Sequence, residues 1–110
     1  VAQVTPVDAP DIAAEYPGGQ QEMMKYIVNN VKYPKSAEEA NVEGKVYLQF
    51  TVGKDGSISD IEVKRGVSKD IDAEAIRVVK SFPKWKPAQV NFEAVPSKVV
   101  LPFMFKLGEG

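Results

Sequence analysis

The chain has 110 residues, with 14 basic and 15 acidic side chains, a formal net charge of −1, and no cysteine or histidine. This length fits one domain with one modest core, and the missing residue types exclude disulfides, thiolate nucleophiles, zinc–thiolate sites and a Ser-His-Asp triad. A near-neutral chain also lacks the basic surplus that sequence-independent nucleic-acid binders need, so no nucleic-acid partner is expected.

The first part of the chain predicts an arm followed by a helix. Residues 1–15 mix prolines, small residues and acidic residues without a period, which indicates an extended linker arm. An apolar repeat then predicts a helix that ends at Tyr33, because Pro34 disfavours the α conformation before it. The predicted core stripe consists of Met23, Met24, Ile27, Val28 and Val31. An adaptable binding face formed by the methionine pair is the alternative.

A short helix and a hairpin follow. Ser36 and Glu39 have the spacing of a capping box, and Gly44 ends the short helix. Apolar residues alternate with polar ones over 45–52, which predicts a strand, and Asp55-Gly56 predicts a tight turn. In the return strand the spacing between successive apolar residues changes from three positions to two. If all of them face the core, one extra residue must be accommodated, which predicts a β-bulge near Ser59-Asp60.

Residues 68–82 predict the second main helix, with Asp70 as its N-cap. Its predicted buried stripe consists of Ile71, Ala75, Val78, Val79 and Phe82. The carboxylates at the starts of the helices suit capping and the helix dipole better than a catalytic pair. The sequence therefore predicts neither an enzyme nor a cofactor.

The last third of the chain contains the only tryptophan and a long strand. Trp85 lies between two lysines, which is typical either of a core aromatic residue with solvated neighbours or of nucleic-acid or lipid contact. After a predicted loop, residues 95–107 alternate as a strand. Pro102 within it predicts an edge position or a bulge, because proline has no N–H to donate.

This order of elements predicts an α+β two-layer domain, with helices on one face of a small antiparallel sheet. An exposed edge strand rich in apolar residues favours unwanted pairing, unless the protein uses it or blocks it. Two interpretations stay open. The last strand is either an inert edge or a site where an extended peptide adds as a further strand.

Several short motifs, in their order and spacing, resemble the TonB C-terminal domain family, particularly TonB-like proteins of the Bacteroidetes. The resemblance covers roughly residues 15–107. The motifs are Tyr16-Pro17-Gly18-Gly19, Tyr33-Pro34, the Asp55-Gly56 hairpin, Ile71-Asp72-Ala73-Glu74-Ala75, Pro83-Lys84-Trp85-Lys86-Pro87 and Leu101-Pro102-Phe103-Met104-Phe105. Where the family usually has glycines after the tryptophan motif, this chain has Ala88 and Phe92.

The resemblance implies a TolA/TonB C-terminal-like fold over residues 16–107, with a three-stranded antiparallel sheet in the order β-β-α-β along the chain and an extra N-terminal helix. Residues 1–15 would be the linker arm and residues 108–110 a tail. It also implies a periplasmic domain that is anchored to the inner membrane through a preceding helix and driven by an ExbB/ExbD-like motor.

Its implied partner is the TonB box of an outer-membrane transporter, held by strand addition for nutrient uptake. The implied contact residues are Val99, Val100, Leu101, Pro102, Phe103, Met104 and Phe105, with Asn29, Asn30 and Tyr33 as a second contact. A homodimer through the last strand is a further implication. A stand-alone periplasmic binding or regulatory module without force transduction is the alternative.

Overall fold

The computed structural model describes residues 12–107, which form three helices and five strands. The helices are α1 (Gln20–Asn30), α2 (Lys35–Glu39) and α3 (Lys69–Lys80). The strands are β1 (Gly44–Val52), β2 (Ile58–Arg65), β3 (Ala88–Val90), β4 (Glu93–Val95) and β5 (Ser97–Phe105). Within the described residues, no helix has the length and apolar content that a membrane crossing requires.

The main sheet has the strand order β2-β1-β5, with both pairings antiparallel. Every residue of β1 pairs with a residue of β5, from Gly44 opposite Phe105 to Val52 opposite Ser97, without a shift in register. The predicted sheet is therefore confirmed. The edge position predicted from Pro102 is also confirmed, and no bulge interrupts β5.

The core lies on one face of this sheet. The inward side chains of β1, namely Val46, Leu48, Phe50 and Val52, have no exposed surface. All three helices contribute to the same cluster, through Met23, Ala37 and the predicted stripe of α3. All five residues of that stripe are buried, which confirms the helical period of Ile71, Ala75, Val78 and Val79. The helix ends at Lys80, so Phe82 packs in the core from beyond the end of the helix.

The second strand of the hairpin contains two irregularities. The register steps from Gln49–Glu62 to Thr51–Ser59, which inserts one extra residue into β2, and Asp60 has a φ of 52° there. This confirms the predicted bulge. A second shift, between the pairs Tyr47–Arg65 and Leu48–Val63, was not predicted. Both bulges lie on the strand that forms the other edge of the sheet.

Helix α1 differs from its prediction in length and in the face that it buries. It ends at Asn30, three residues before Tyr33, because Val31 is already extended. Met23 is buried and Ile27 packs against the core, but Met24 and Val28 are 51 % and 68 % exposed. The predicted core stripe is therefore wrong for Met24 and Val28.

The helix caps also differ from two predictions. Ser68, and not Asp70, is the N-cap of α3, because its hydroxyl accepts a hydrogen bond from the Ile71 N–H at 3.3 Å. Ser36 lies inside α2, and its hydroxyl donates to the carboxylate of Asp70 instead of capping its own helix. Tertiary contact between α2 and α3 thus replaces the predicted capping box.

Aromatic side chains fill one end of the core. Trp85 is 6 % exposed, which confirms its predicted packing, and its ring centroid lies 5.4 Å from that of Phe50 and 5.9 Å from that of Tyr16. Phe82 and Tyr26 complete the cluster, and the Tyr26 hydroxyl donates to the Ser81 carbonyl. This cluster joins α1, the end of α3 and the central strand.

The predicted loop after Trp85 is a second, two-stranded sheet formed by β3 and β4. Asn91 and Phe92 connect the strands with φ angles of 52° and 68°, the left-handed pair that a two-residue hairpin turn requires. Residues 12–15, predicted to belong to the arm, run beside this region through bridges from Ile12 to Gln89 and from Glu15 to Lys86. The predicted boundary at residue 16 stays a prediction, and residues 1–11 and 108–110 lie outside the described residues.

Gly56 is expected to be essential for stability. Its φ is 87°, and an added Cβ would lie 2.1 Å from the Trp85 carbonyl oxygen. We expect Gly56→Ala to lower the free energy of unfolding by at least about 2 kcal/mol, because the left-handed conformation and the steric overlap both oppose a side chain. Urea denaturation measures the loss.

Gly53→Ala is the matched control in the same turn. Its Cβ would approach Asp55 Oδ1 no closer than 3.3 Å, so a loss under about 1 kcal/mol is expected. Equal losses for the two variants would contradict this account of the turn.

Candidate functional site

The candidate site is the outer edge of β5. Within residues 12–107, β5 pairs with β1 on one side and with no strand on the other. A regular edge strand of nine residues offers a row of unpaired backbone groups to an incoming chain.

The hydrogen bond that closes the hairpin fixes which backbone groups face outward. The Gly53 N–H donates to the Ser57 carbonyl at 2.8 Å, so the backbone groups of Gly53 point toward β2. The direction of the backbone groups alternates from one residue to the next along a strand. Tyr47 lies an even number of residues before Gly53, so its backbone groups also point toward β2. Its partner Pro102 must then turn its own groups to the free edge.

This orientation explains why proline is tolerated in β5. The nitrogen of Pro102 faces the free edge, where the β1–β5 ladder needs no donor. Val100 and Met104 have the same orientation, so each presents both an N–H and a C=O to the edge. Val99, Leu101 and Phe103 direct their backbone groups to β1 and present none to a partner.

The side chains of β5 divide between two faces. Val99, Leu101, Phe103 and Phe105 face the core, whereas Val100 and Met104 are 52 % and 62 % exposed on the opposite face. Lys98 and Lys106 are exposed at the two ends. An added strand would therefore have a helix-covered face on one side and an open face with cationic ends on the other.

A recess of about 190 Å³ lies beside the first half of β5, and we call it the edge recess. It is lined by Ala14, Glu15, Tyr16, Gln20, Met23, Trp85, Val99 and Leu101. Sequence reasoning did not find it, because residues 14–16 were assigned to the arm and to the start of the helix. Only the pairing of residues 12–15 with residues 86–89 brings that segment to the strand.

The second predicted contact, residues 29–33, is only partly joined to β5. The Tyr33 ring packs edge-on against Phe105, with centroids 5.7 Å apart, and the Tyr33 hydroxyl donates to the Val42 carbonyl. Asn30 is not joined to β5: its backbone carbonyl accepts from Arg77 Nη2 of α3 at 2.7 Å, and its side-chain amide donates to the Tyr26 carbonyl of α1 at 2.7 Å. Asn29 is exposed beside Met24 and Val28 on α1.

Glu74 and Arg77 of α3 hold the segment after α1 in place, and we call this pair the α3 clamp. The Glu74 carboxylate accepts from the Lys32 backbone N–H at 2.6 Å and from Arg77 Nη2 at 2.7 Å. The hydrogen bond from Arg77 lowers the pKa of Glu74 below its ordinary value, against the opposing effect of burial. The clamp thereby positions Tyr33 at the end of β5.

Comparison with known proteins gives the family. The family model described as Gram-negative bacterial TonB protein C-terminal matches residues 29–107, most of the chain. The chain belongs to the TonB C-terminal domain family. This family transduces energy for transport and is not a family of enzymes. The predicted Bacteroidetes type stays a prediction.

Individual TonB proteins agree with this assignment. The chain is 40 % identical to Protein TonB of Helicobacter pylori over 58 residues, which are 48 % of this chain and 21 % of that protein. It is 28 % identical to Protein TonB of Pseudomonas aeruginosa over 75 residues, which are 68 % of this chain and 22 % of that protein. The TonB domain described here thus spans about a fifth of the length of these relatives.

Solved structures of TonB C-terminal domains have the same fold. A solution structure of the Helicobacter pylori domain superposes with a TM-score of 0.63 at 28 % identity, covering 86 % of this chain and 89 % of that one. The Pseudomonas aeruginosa domain gives a TM-score of 0.57 at 28 % identity, covering 72 % and 80 %. These matches confirm the predicted α+β TonB-like fold.

Two further acidic residues at the start of α3, Asp70 and Asp72, are held by hydrogen bonds. The Asp72 carboxylate accepts from the Val67 N–H at 2.9 Å, and Asp70 accepts from the Ser36 hydroxyl. Each carboxylate fixes a helix start or a contact between helices. The arrangement explains these residues without catalysis.

The α3 clamp predicts a pH-dependent stability. A folded-state pKa below the ordinary 4.5 of Glu74 means that its stabilisation is present above that pH and is lost as the pH falls through the lowered value. We expect Glu74→Gln to lower the free energy of unfolding by about 1–2 kcal/mol at pH 7. The difference from wild type should shrink in urea denaturation below pH 4.

Glu22→Gln is the control, because Glu22 pairs with Lys25 in the same i,i+3 spacing while both side chains are more than half exposed. Glu22→Gln should lower the free energy of unfolding by no more than about 0.5 kcal/mol. A Glu74→Gln variant that matches this control at every pH would show that the clamp does not contribute.

Proposed function

We propose that this domain is the periplasmic C-terminal part of a TonB-like energy transducer, and that it binds the TonB box of an outer-membrane transporter as a strand added to β5. The observation that carries the proposal is the regular edge of β5, which no other strand among residues 12–107 pairs with, and to which the N–H groups of Val100 and Met104 are directed. Family membership supplies the class of partner.

The two edges of the sheet are not equivalent as binding sites. β2 contains two bulges, which break the even spacing of the backbone groups that an added strand needs. β5 runs from Ser97 to Phe105 with no shift against β1. Strand addition is therefore favoured at β5 and opposed at β2.

Strand addition also suits the transmission of force. Hydrogen bonds along a strand that is pulled lengthwise share the load and must break together. Each contributes only about 0.5–1.5 kcal/mol net, so the complex stays reversible at rest. Moderate affinity combined with resistance to shear is what a transducer that engages and releases its transporter requires.

The wider assignment rests on the family. We place the domain in the periplasm, joined through a preceding segment to an inner-membrane anchor and an ExbB/ExbD-like motor, with neither catalytic activity nor a cofactor. A homodimer through β5 would occupy the same edge and compete with the transporter. A binding module without force transduction is distinguished by testing whether the full-length protein supports energy-dependent uptake.

Backbone amide spectra test the binding site. We expect a synthetic peptide that carries the TonB box of a transporter from the same organism to shift the amide signals of residues 98–106, apart from Pro102, which has no N–H. Met104→Pro removes an outward N–H and should weaken binding by about threefold to tenfold, the value of one hydrogen bond. Met104→Ala keeps that N–H and is the matched control.

Circular dichroism melting first establishes that both variants are folded. Unchanged spectra at millimolar peptide would contradict strand addition at β5. Equal affinities for Met104→Pro and Met104→Ala would show that the peptide does not accept the outward N–H of residue 104.

A further inference from the structure

We propose that the edge recess receives one large apolar side chain of the strand bound at β5, and that it thereby sets the sequence preference of the site. This inference rests on the proposed function and adds the chemistry of the bound segment to it. Backbone hydrogen bonds alone do not distinguish one extended peptide from another, whereas a side-chain pocket beside the edge does.

The recess lies on the partner's side of β5. Its walls come from residues 14–16, from α1, from Trp85, and from Val99 and Leu101 of β5. Among the described residues, none from β1 lines it, although β1 is the strand paired with β5. A strand that pairs with the free edge therefore runs past the mouth of the recess.

The period of a β-strand determines which side chains of the bound strand reach the recess. Every second side chain of the bound strand faces the helix-covered side of the sheet, at intervals of about 7 Å. Val99 and Leu101 are two residues apart and together span one such interval. The positions of the bound strand beside Val99 and beside Leu101 therefore face the recess, and the residue between them faces the opposite side. The volume of about 190 Å³ holds only one large side chain at these positions.

The volume and the lining favour a large apolar side chain. An engineered apolar cavity of about 150 Å³ holds a benzene molecule, so a recess of about 190 Å³ accommodates leucine, methionine or phenylalanine. Six of the eight residues that line the edge recess are apolar or aromatic, namely Ala14, Tyr16, Met23, Trp85, Val99 and Leu101. The carboxylate of Glu15 in the lining opposes an acidic side chain.

The walls are fixed before a partner binds. Glu15 and Lys86 exchange two backbone hydrogen bonds, at 3.0 Å and 2.8 Å, which hold the segment 14–16 against the body of the domain. Tyr16, Met23 and Trp85 are each less than 10 % exposed and are packed in the core. A preformed pocket avoids the entropic cost of ordering its walls on binding.

An alanine scan of the bound peptide tests the proposal directly. The probe is the TonB box peptide described above, with each residue replaced by alanine in turn. We expect one apolar position to lose about tenfold in affinity, and the residues next to it in sequence to lose much less. Trp85 is the only tryptophan in the chain, so its emission should change with the parent peptide and much less with that alanine variant.

A substitution that fills the recess provides the complementary test. Ala14→Leu places extra volume in the recess and should lower the affinity for the parent peptide by about tenfold. The parent peptide and its alanine variant should then bind this domain variant with the same affinity. Ala13→Leu is the matched control, because Ala13 is an exposed neighbour that does not line the recess. The peptide scan on the wild-type domain decides the question even if Ala14→Leu does not fold.

The outcomes separate this inference from the proposed function. Amide shifts along β5 with a flat alanine scan, or with no effect of Ala14→Leu in the folded variant, would overturn the recess and leave strand addition intact. Absence of amide shifts along β5 at millimolar peptide would overturn strand addition and the recess with it. Both proposals are supported if alanine at one peptide position weakens binding to the wild-type domain and this loss disappears in the Ala14→Leu variant.

Discussion

The backbone ladder between β1 and β5 is the interaction on which the rest of the structure depends. It runs for nine pairs without a shift, and it orients the inward side chains of both strands toward the helices. The same pairing turns the backbone groups of Val100, Pro102 and Met104 away from the sheet. One register therefore determines both the core and the free edge. A slip of one residue would turn the core-facing side chains of β5 to the opposite face of the sheet.

Two features lie along the free edge at different positions. The edge recess adjoins Val99 and Leu101, and the Tyr33 ring rests on Phe105, which lies four residues, or about 13 Å, beyond Leu101 at about 3.3 Å per residue. The α3 clamp fixes the second feature, and the pairing of Glu15 with Lys86 fixes the first. In the complex that we propose, backbone groups between them would supply affinity that is independent of sequence, and the recess would supply preference.

The sequence predicted the parts of this fold that follow from local period. Alternation identified β1 and β5, the slip between Ile58 and Ile61 located the bulge at Asp60, and Pro102 placed the last strand at an edge. Features made by contacts between distant segments were missed. Ser36 bonds to Asp70 rather than to its own helix, and residues 12–15 reach residues 86–89, neither of which local pattern reveals. The recess depends on that second contact.

Hydrogen exchange of the backbone amides tests the central claim most directly. In the free domain the Val100 and Met104 amides should exchange rapidly, while those of Val99 and Leu101 are protected by β1. A bound TonB box peptide should slow exchange at Val100 and Met104 and leave the other two unchanged. Protection of Val100 and Met104 in the free monomer, or no slowing with saturating peptide, would contradict the account.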